Sequence, residues 1–215
     1  MKDSTIKIID ELVERYPMLK DAEEGVTNAL NILIDAYSNH KKLLLCGNGG
    51  SAADCNHLVG VLMKSFKKKR PISPQLKRKL KSIDVAAGEY LSNTLQQGLP
   101  AISLAAHTGY MTAFSNDSSA ISVFANQVLG YGSEGDVFWA LSTSGNSKNV
   151  IMASMVAKAI GLKVIGLTGQ DQCDLDDYCD VCIHVPAIEK YQVQELHLPI
   201  YNAICLSLEN EFFDK

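Results

Sequence analysis

The stretch from Leu43 to Asp54, Leu-Leu-Leu-Cys-Gly-Asn-Gly-Gly-Ser-Ala-Ala-Asp, constrains the fold more than any other part of the chain. Its apolar run suits a strand buried on both faces, and the glycine turn with Ser51 opens a helix that continues through Asn56 and His57. A strand, a glycine turn and a helix in that order make an anion site. Glycines admit close approach to the backbone, and the unpaired N–H groups of the first helical turn face the guest, with the positive end of the helix dipole behind them. Phosphate fits such a turn best. A tight turn alone would also account for the glycines, and the loop matches neither standard nucleotide pattern. It lacks the Gly-Lys-Ser/Thr of a P-loop and the third glycine of a dinucleotide fold.

A second junction adds weight to the phosphate reading. Val137-Phe138-Trp139-Ala140-Leu141 runs into Ser142-Thr143-Ser144-Gly145-Asn146-Ser147, where another helix begins. A helix cap needs one hydroxyl. Here Ser142, Thr143, Ser144 and Ser147 are all available, so the turn reads as a second set of phosphate and hydroxyl ligands.

Strands and helices alternate around these turns. Ile6, Ile9, Val13 and Tyr16 recur at helical spacing, and Val26, Leu30, Leu33 and Ile34 start a second helix ending near His40. Strands are expected at Lys42–Cys46, Ala101–Ala105, Val137–Leu141, Lys163–Leu167 and Val181–Val185. Helical segments are expected at His57–Phe66, Ala120–Leu129, Asn149–Ala159 and Val193–Phe213. That order predicts an α/β fold, a three-layer α/β/α arrangement with a mainly parallel central sheet and right-handed crossovers. The sequence shows no internal repeat and no linker, so residues 1–215 read as one domain.

At 215 residues and 47% hydrophobic, the chain can bury a full core, and no long apolar span or cleavable signal points to a membrane or to export. The six cysteines read as free thiols of a cytoplasmic protein. Cys179-x-x-Cys182 lacks the second Cys or His pair of a structural zinc site. Lys64 to Lys81 is rich in Lys and Arg, yet the net charge is −4, no aromatic residues interleave the lysines, and Leu76, Leu80 and Ile83 form a helical apolar stripe. The segment reads as a solvated helix face that could draw in an anion, and nucleic acid is disfavoured.

Gly47 to Asp54, His57, Asn116-Asp117, Ser142 to Ser147, Leu167-Thr168-Gly169 and Gln194-Glu195-Leu196-His197 together resemble the sugar isomerase (SIS) domain family. The most similar branches are the sedoheptulose 7-phosphate (phosphoheptose) isomerases and DiaA, a non-catalytic adaptor relative. The resemblance covers nearly the whole chain. It implies a homotetramer with sugar-phosphate sites between subunits, residues 1–40 serving oligomerisation and a basic helical insertion at about 64–99 flanking the interface. Asn48, Gly49, Gly50, Ser51, Asn116, Asp117, Ser142, Thr143, Ser144, Ser147 and Gln194 would contact the phosphorylated sugar.

The isomerase branch carries His-x-x-x-Glu after the glycine turn and Gln-x7-His on the last helix. Here those positions hold His57 with Val61 and Gln194 with Asn202, while Tyr191 replaces an aspartate three residues before the glutamine. Val61 and Asn202 carry no titratable proton. The resemblance therefore implies a phosphosugar-binding protein with impaired or lost isomerase activity. His57 and Gln194 would be remnants of a zinc set too small to hold the ion, so no cofactor is expected. Three alternatives accompany that reading: an active isomerase using His57, Glu195, His197 or His107 instead, a DiaA-like oligomeric adaptor, and a mixed oligomer with a catalytic paralogue. His197 also reads as a structural histidine and His184 as a sheet-edge residue.

Overall fold

The computed structural model describes residues 1–213 and builds one five-stranded, wholly parallel sheet. Its strands are β1 Leu43–Cys46, β2 Ala101–Ser103, β3 Val137–Leu141, β4 Lys163–Thr168 and β5 Val181–His184, in the order β2-β1-β3-β4-β5. The helices are α1 Asp3–Arg15, α2 Glu23–Ser38, α3 Gly50–Met63, α4 Pro74–Ile83, α5 Val85–Thr94, α6 Thr108–Phe114, α7 Val123–Tyr131, α8 Lys148–Ala159 and α9 Lys190–Phe213.

Helices cover both faces of the sheet, which is why β1 and β3 are apolar without interruption. Leu43, Leu45, Trp139 and Leu141 pack with α1, α2, α3 and α9. Leu44, Cys46, Phe138 and Ala140 turn the other way onto α7 and α8. The result is the expected three-layer α/β/α fold. Because β1 lies between β2 and β3, the chain order reverses at the C-terminal ends of β1 and β3. A crevice at that reversal is where open α/β sheets bind ligands.

Element ends differ from the sequence reading at several points, α9 for example starting at Lys190. β2 stops at Ser103, where the chain tightens into a 3₁₀ turn at Leu104–Ala106. The helix after the glycine turn begins at Gly50 and ends at Met63, and α7 is displaced to Val123–Tyr131. Between α6 and α7, a π-helical turn at Ser115–Ser119 takes up residues that carry no apolar period.

The basic segment divides into two parts. Arg70 is 1% exposed; its Nε donates to Glu209 at 2.9 Å and its Nη1 to the Leu62 carbonyl at 2.7 Å. Glu209 also accepts the backbone N–H groups of Phe66, Lys67 and Lys68. So Arg70 fastens the segment to α9 instead of joining a solvated face. α4 is the solvated part, capped by Ser73 and followed by Asp84 capping α5. Its apolar stripe is only partly covered within the chain: Leu80 is half-buried, but Ile83 is 84% exposed and Leu76 is also exposed. Among the described residues no helix is long and apolar enough to cross a membrane.

Candidate phosphosugar site

β1 and β3 run side by side with Cys46 opposite Ala140, so their two turns emerge together. After β1, Gly49 sits at φ +54°, ψ −118°, a combination open to glycine alone, and this bend starts α3. Ser51 N–H donates to the Asn48 carbonyl at 3.0 Å, and Ser51 is buried beneath the turn. After β3, the buried Ser142 hydroxyl donates to Ser147 Oγ at 3.2 Å, and Ser144 Oγ accepts the Asn146 N–H at 3.2 Å. Ser144 itself is exposed, with Thr143 and Ser147 half-buried.

The two turns are tied directly. Asn48 and Asn149 exchange a pair of amide hydrogen bonds at 2.9 and 2.8 Å. Two helix N-termini and several free hydroxyls therefore open onto one place, an arrangement suited to a phosphate dianion. A cleft of about 210 Å³ adjoins it, lined by Thr143, Ser144, Asn146, Gly169, Gln170 and Ala187 among others. A larger concavity, of about 660 Å³, lies elsewhere, along the outer edge of β5.

The wall beside the glycine turn comes from α3 and α9. Gln194 lies so close over Gly50 that a β-carbon there would collide with its amide. Tyr201, seven residues on and back on the same helix face, donates to Asp54 Oδ1 at 3.0 Å, and the exposed His57 ring lies 5.9 Å from the Tyr201 ring. Burial raises the Asp54 carboxyl above its ordinary range, with Tyr201, His57 and Gln194 partly offsetting it; Asp54 Oδ2 is buried without a protein partner. Burial and the neighbouring carboxylate push the Tyr201 phenol up. Asp54 and Tyr201 are the wall residues that sequence reasoning passed over. The i, i+7 relation between Gln194 and Tyr201 was the available signal.

The other candidates fall in different places. Val61 is 5% exposed, packed in the core one turn beyond His57. Asn202 borders a cleft against α1 with Glu11, Arg15 and Tyr16. His197 turns to β4: it is fully buried, its Nε2 donates to the Thr168 carbonyl at 3.3 Å, and burial lowers its pKa to about 4. Glu195 points outward. Asn116 and Asp117 hydrogen-bond to each other on the π-helical turn. His107 is engaged with Gln127 at 2.7 Å.

The zinc of the isomerase pattern does not fit these residues. Position 61 offers only a buried aliphatic group. Gln194 and Asn202 stand eight residues apart on α9, ~12 Å along its axis. Asn202 offers an amide where the pattern has an imidazole, so two of the four positions lack their ligand.

Comparison with known proteins agrees with this fold. A family model described as SIS domain matches residues 9–96 and 86–169. A phosphoheptose isomerase of Clostridium acetobutylicum is 36% identical over 209 residues, covering 96% of this chain and 93% of that protein. One from a Nitratiruptor species is 39% identical over 181 residues, covering 84% and 83%. Among solved structures, phosphoheptose isomerase GmhA from Neisseria gonorrhoeae superposes with a TM-score of 0.70 at 29% identity, covering 96% of this chain and 94% of that one.

Proposed function

We propose that this chain, which belongs to the SIS domain family and is related to the phosphoheptose isomerases, binds a phosphorylated sugar and has impaired ketose–aldose isomerase activity. The observation that carries the binding half is the Asn48–Asn149 pair, which holds the glycine turn and the serine turn around one anion site. Phosphate would lie on the N–H groups of α3 and on the hydroxyls of Ser142, Thr143, Ser144 and Ser147. The sugar would extend toward Gln194 and His57.

The catalytic half follows from what the wall lacks. Interconverting a ketose and an aldose phosphate moves a proton between carbons and between oxygens, which needs a positioned base and acid. At the two positions where the isomerase branch supplies them, this chain has a core valine and an amide. Asp54 is the carboxylate closest to the proton-transfer role, but Tyr201 holds it against α9.

The same reading has several copies assembling, as a homotetramer or with a catalytic paralogue, so that sites lie between subunits. The uncovered Ile83, Val85, Tyr90 and Leu198 favour it. A calorimetric titration with sedoheptulose 7-phosphate tests the binding. Saturable binding that weakens in Ser144→Ala supports it; absence of binding to the folded protein rejects it.

A further inference from the structure

We propose that the β4–β5 connection holds a soft divalent cation of the zinc class on Asp176, Cys179, Cys182 and His184. The chain order is Asp-x-x-Cys-x-x-Cys-x-His. A 3₁₀ turn at Asp176–Tyr178 presents the carboxylate, and Cys182 and His184 alternate along β5 and so share one face. A carboxylate oxygen of Asp176, Cys182 Sγ and a ring nitrogen of His184 all lie within 4.8 Å of one another. Cys179 completes the set. A β-carbon on Gly166 would sit 2.6 Å from Cys182 Sγ and 2.8 Å from Cys179 Sγ, so both thiols converge over the same bare spot of β4. Zinc bonds of ~2.0–2.3 Å give a tetrahedron with edges of ~3.3–3.8 Å, so small side-chain movements would close the site.

The histidine supplies an independent sign. His184 Nδ1 lies 2.9 Å from the Gly169 carbonyl, which can only accept, so Nδ1 carries a proton. That bond is the outer support typical of a metal-bound imidazole. In the neutral ring Nε2 is then a lone pair, and it faces Asp176 Oδ1 at 3.0 Å. Two acceptors meet, and a cation or a second proton must lie between them. Cys182 and His184 border the groove along the outer edge of β5, which gives the ion a way in.

This site is separate from the His57–Gln194 wall. Its effect would be mechanical. Asp176 Oδ2 accepts the Cys173 N–H at 2.9 Å, the Asp174 N–H donates to Asn146 Oδ1 at 2.9 Å, and the Leu175 N–H donates to the Gly145 carbonyl at 3.2 Å. A cation on Asp176 would therefore brace the loop that backs the serine turn.

The test is cobalt(II) titration of the reduced full-length protein. Thiolate-to-cobalt charge transfer and the intense visible bands of a tetrahedral centre should saturate at one equivalent per chain and disappear on adding zinc. Cys182→Ser and His184→Gln should weaken binding at least tenfold, while His57→Ala should not alter it. Should either cluster variant misfold, zinc protection of Cys179 and Cys182 from a thiol reagent, mapped by mass spectrometry in the unmodified protein, gives the same information. Absence of the cobalt bands, their persistence at full strength in Cys182→Ser, their loss in His57→Ala, or unprotected thiols under saturating zinc would each overturn the proposal.

Discussion

Asn48, on the turn after β1, and Asn149, in the first turn of α8, are 101 residues apart in the chain and exchange two hydrogen bonds. Beyond the pairing of β1 with β3, the amide pair links the two turns directly. A double-mutant cycle in Asn48→Ala and Asn149→Ala, read as affinity for sedoheptulose 7-phosphate, should give a coupling of ~1 kcal/mol. Strict additivity would show that the turns are positioned independently.

Replacing Ser144 by Ala should remove a charge-assisted hydrogen bond of ~1.5–3 kcal/mol to the phosphate, a loss of about tenfold or more in affinity. The hydroxyl is exposed and supports only the Asn146 N–H, so the fold should persist. Unchanged affinity in calorimetry would remove Ser144 from the site.

His197 makes stability pH-dependent. Its folded pKa of about 4 lies below the ordinary 6.5, so the unfolded chain binds its proton first as pH falls. Stability should be complete above pH 6.5 and decline as the pH drops toward 4, by roughly 3 kcal/mol at the limit. His197→Gln, which cannot titrate, should flatten that decline in urea unfolding curves taken across the range.

The Arg70–Glu209 pair is the buried link between the basic segment and α9. Burial alone would raise the Glu209 carboxyl, but the N–H groups of Phe66, Lys67 and Lys68 and the Arg70 guanidinium lower it overall. Its stabilisation is therefore present above the ordinary 4.5 and lost as pH falls through the lower folded value. Arg70→Met leaves a buried carboxylate unpaired and should cost about 3–5 kcal/mol in chemical unfolding. A much smaller loss would mean that the three backbone donors suffice.

Much of this was legible in the sequence because it depends on local pattern. The unbroken apolar runs at Leu43–Cys46 and Val137–Leu141 required a doubly covered parallel sheet, and the turns after them carried glycines and hydroxyls that strand pairing alone would not need. What could not be read was long-range. Arg70 looked like one more surface cation until its partner, 139 residues away, was placed beside it. Tyr201 and Asp54 met only once α9 had packed on α3. His197 lies just 60° round α9 from Gln194, yet that rotation carries it onto β4 and into full burial. Cys179 and Cys182 appear to lack partners in the sequence because no second Cys or His pair accompanies them, whereas the fold brings Asp176 and His184 to Cys182.

Assembly has a direct consequence in solution. With Ile83, Val85, Tyr90 and Leu198 uncovered in the single chain, light scattering at micromolar concentration should give the mass of a tetramer. A monomeric mass would contradict the proposal that sites lie between subunits.

The most direct measurement is turnover of sedoheptulose 7-phosphate at a concentration that calorimetry on the same preparation has shown to be saturating. With Val61 and Asn202 where the isomerase pattern has its acid–base groups, each of which contributes ~10²–10⁴-fold, the expected result is full occupancy with turnover at least a hundredfold below an ordinary enzymatic rate. Turnover at an ordinary rate would contradict that result and transfer the proton chemistry to Asp54 and its neighbours on α9.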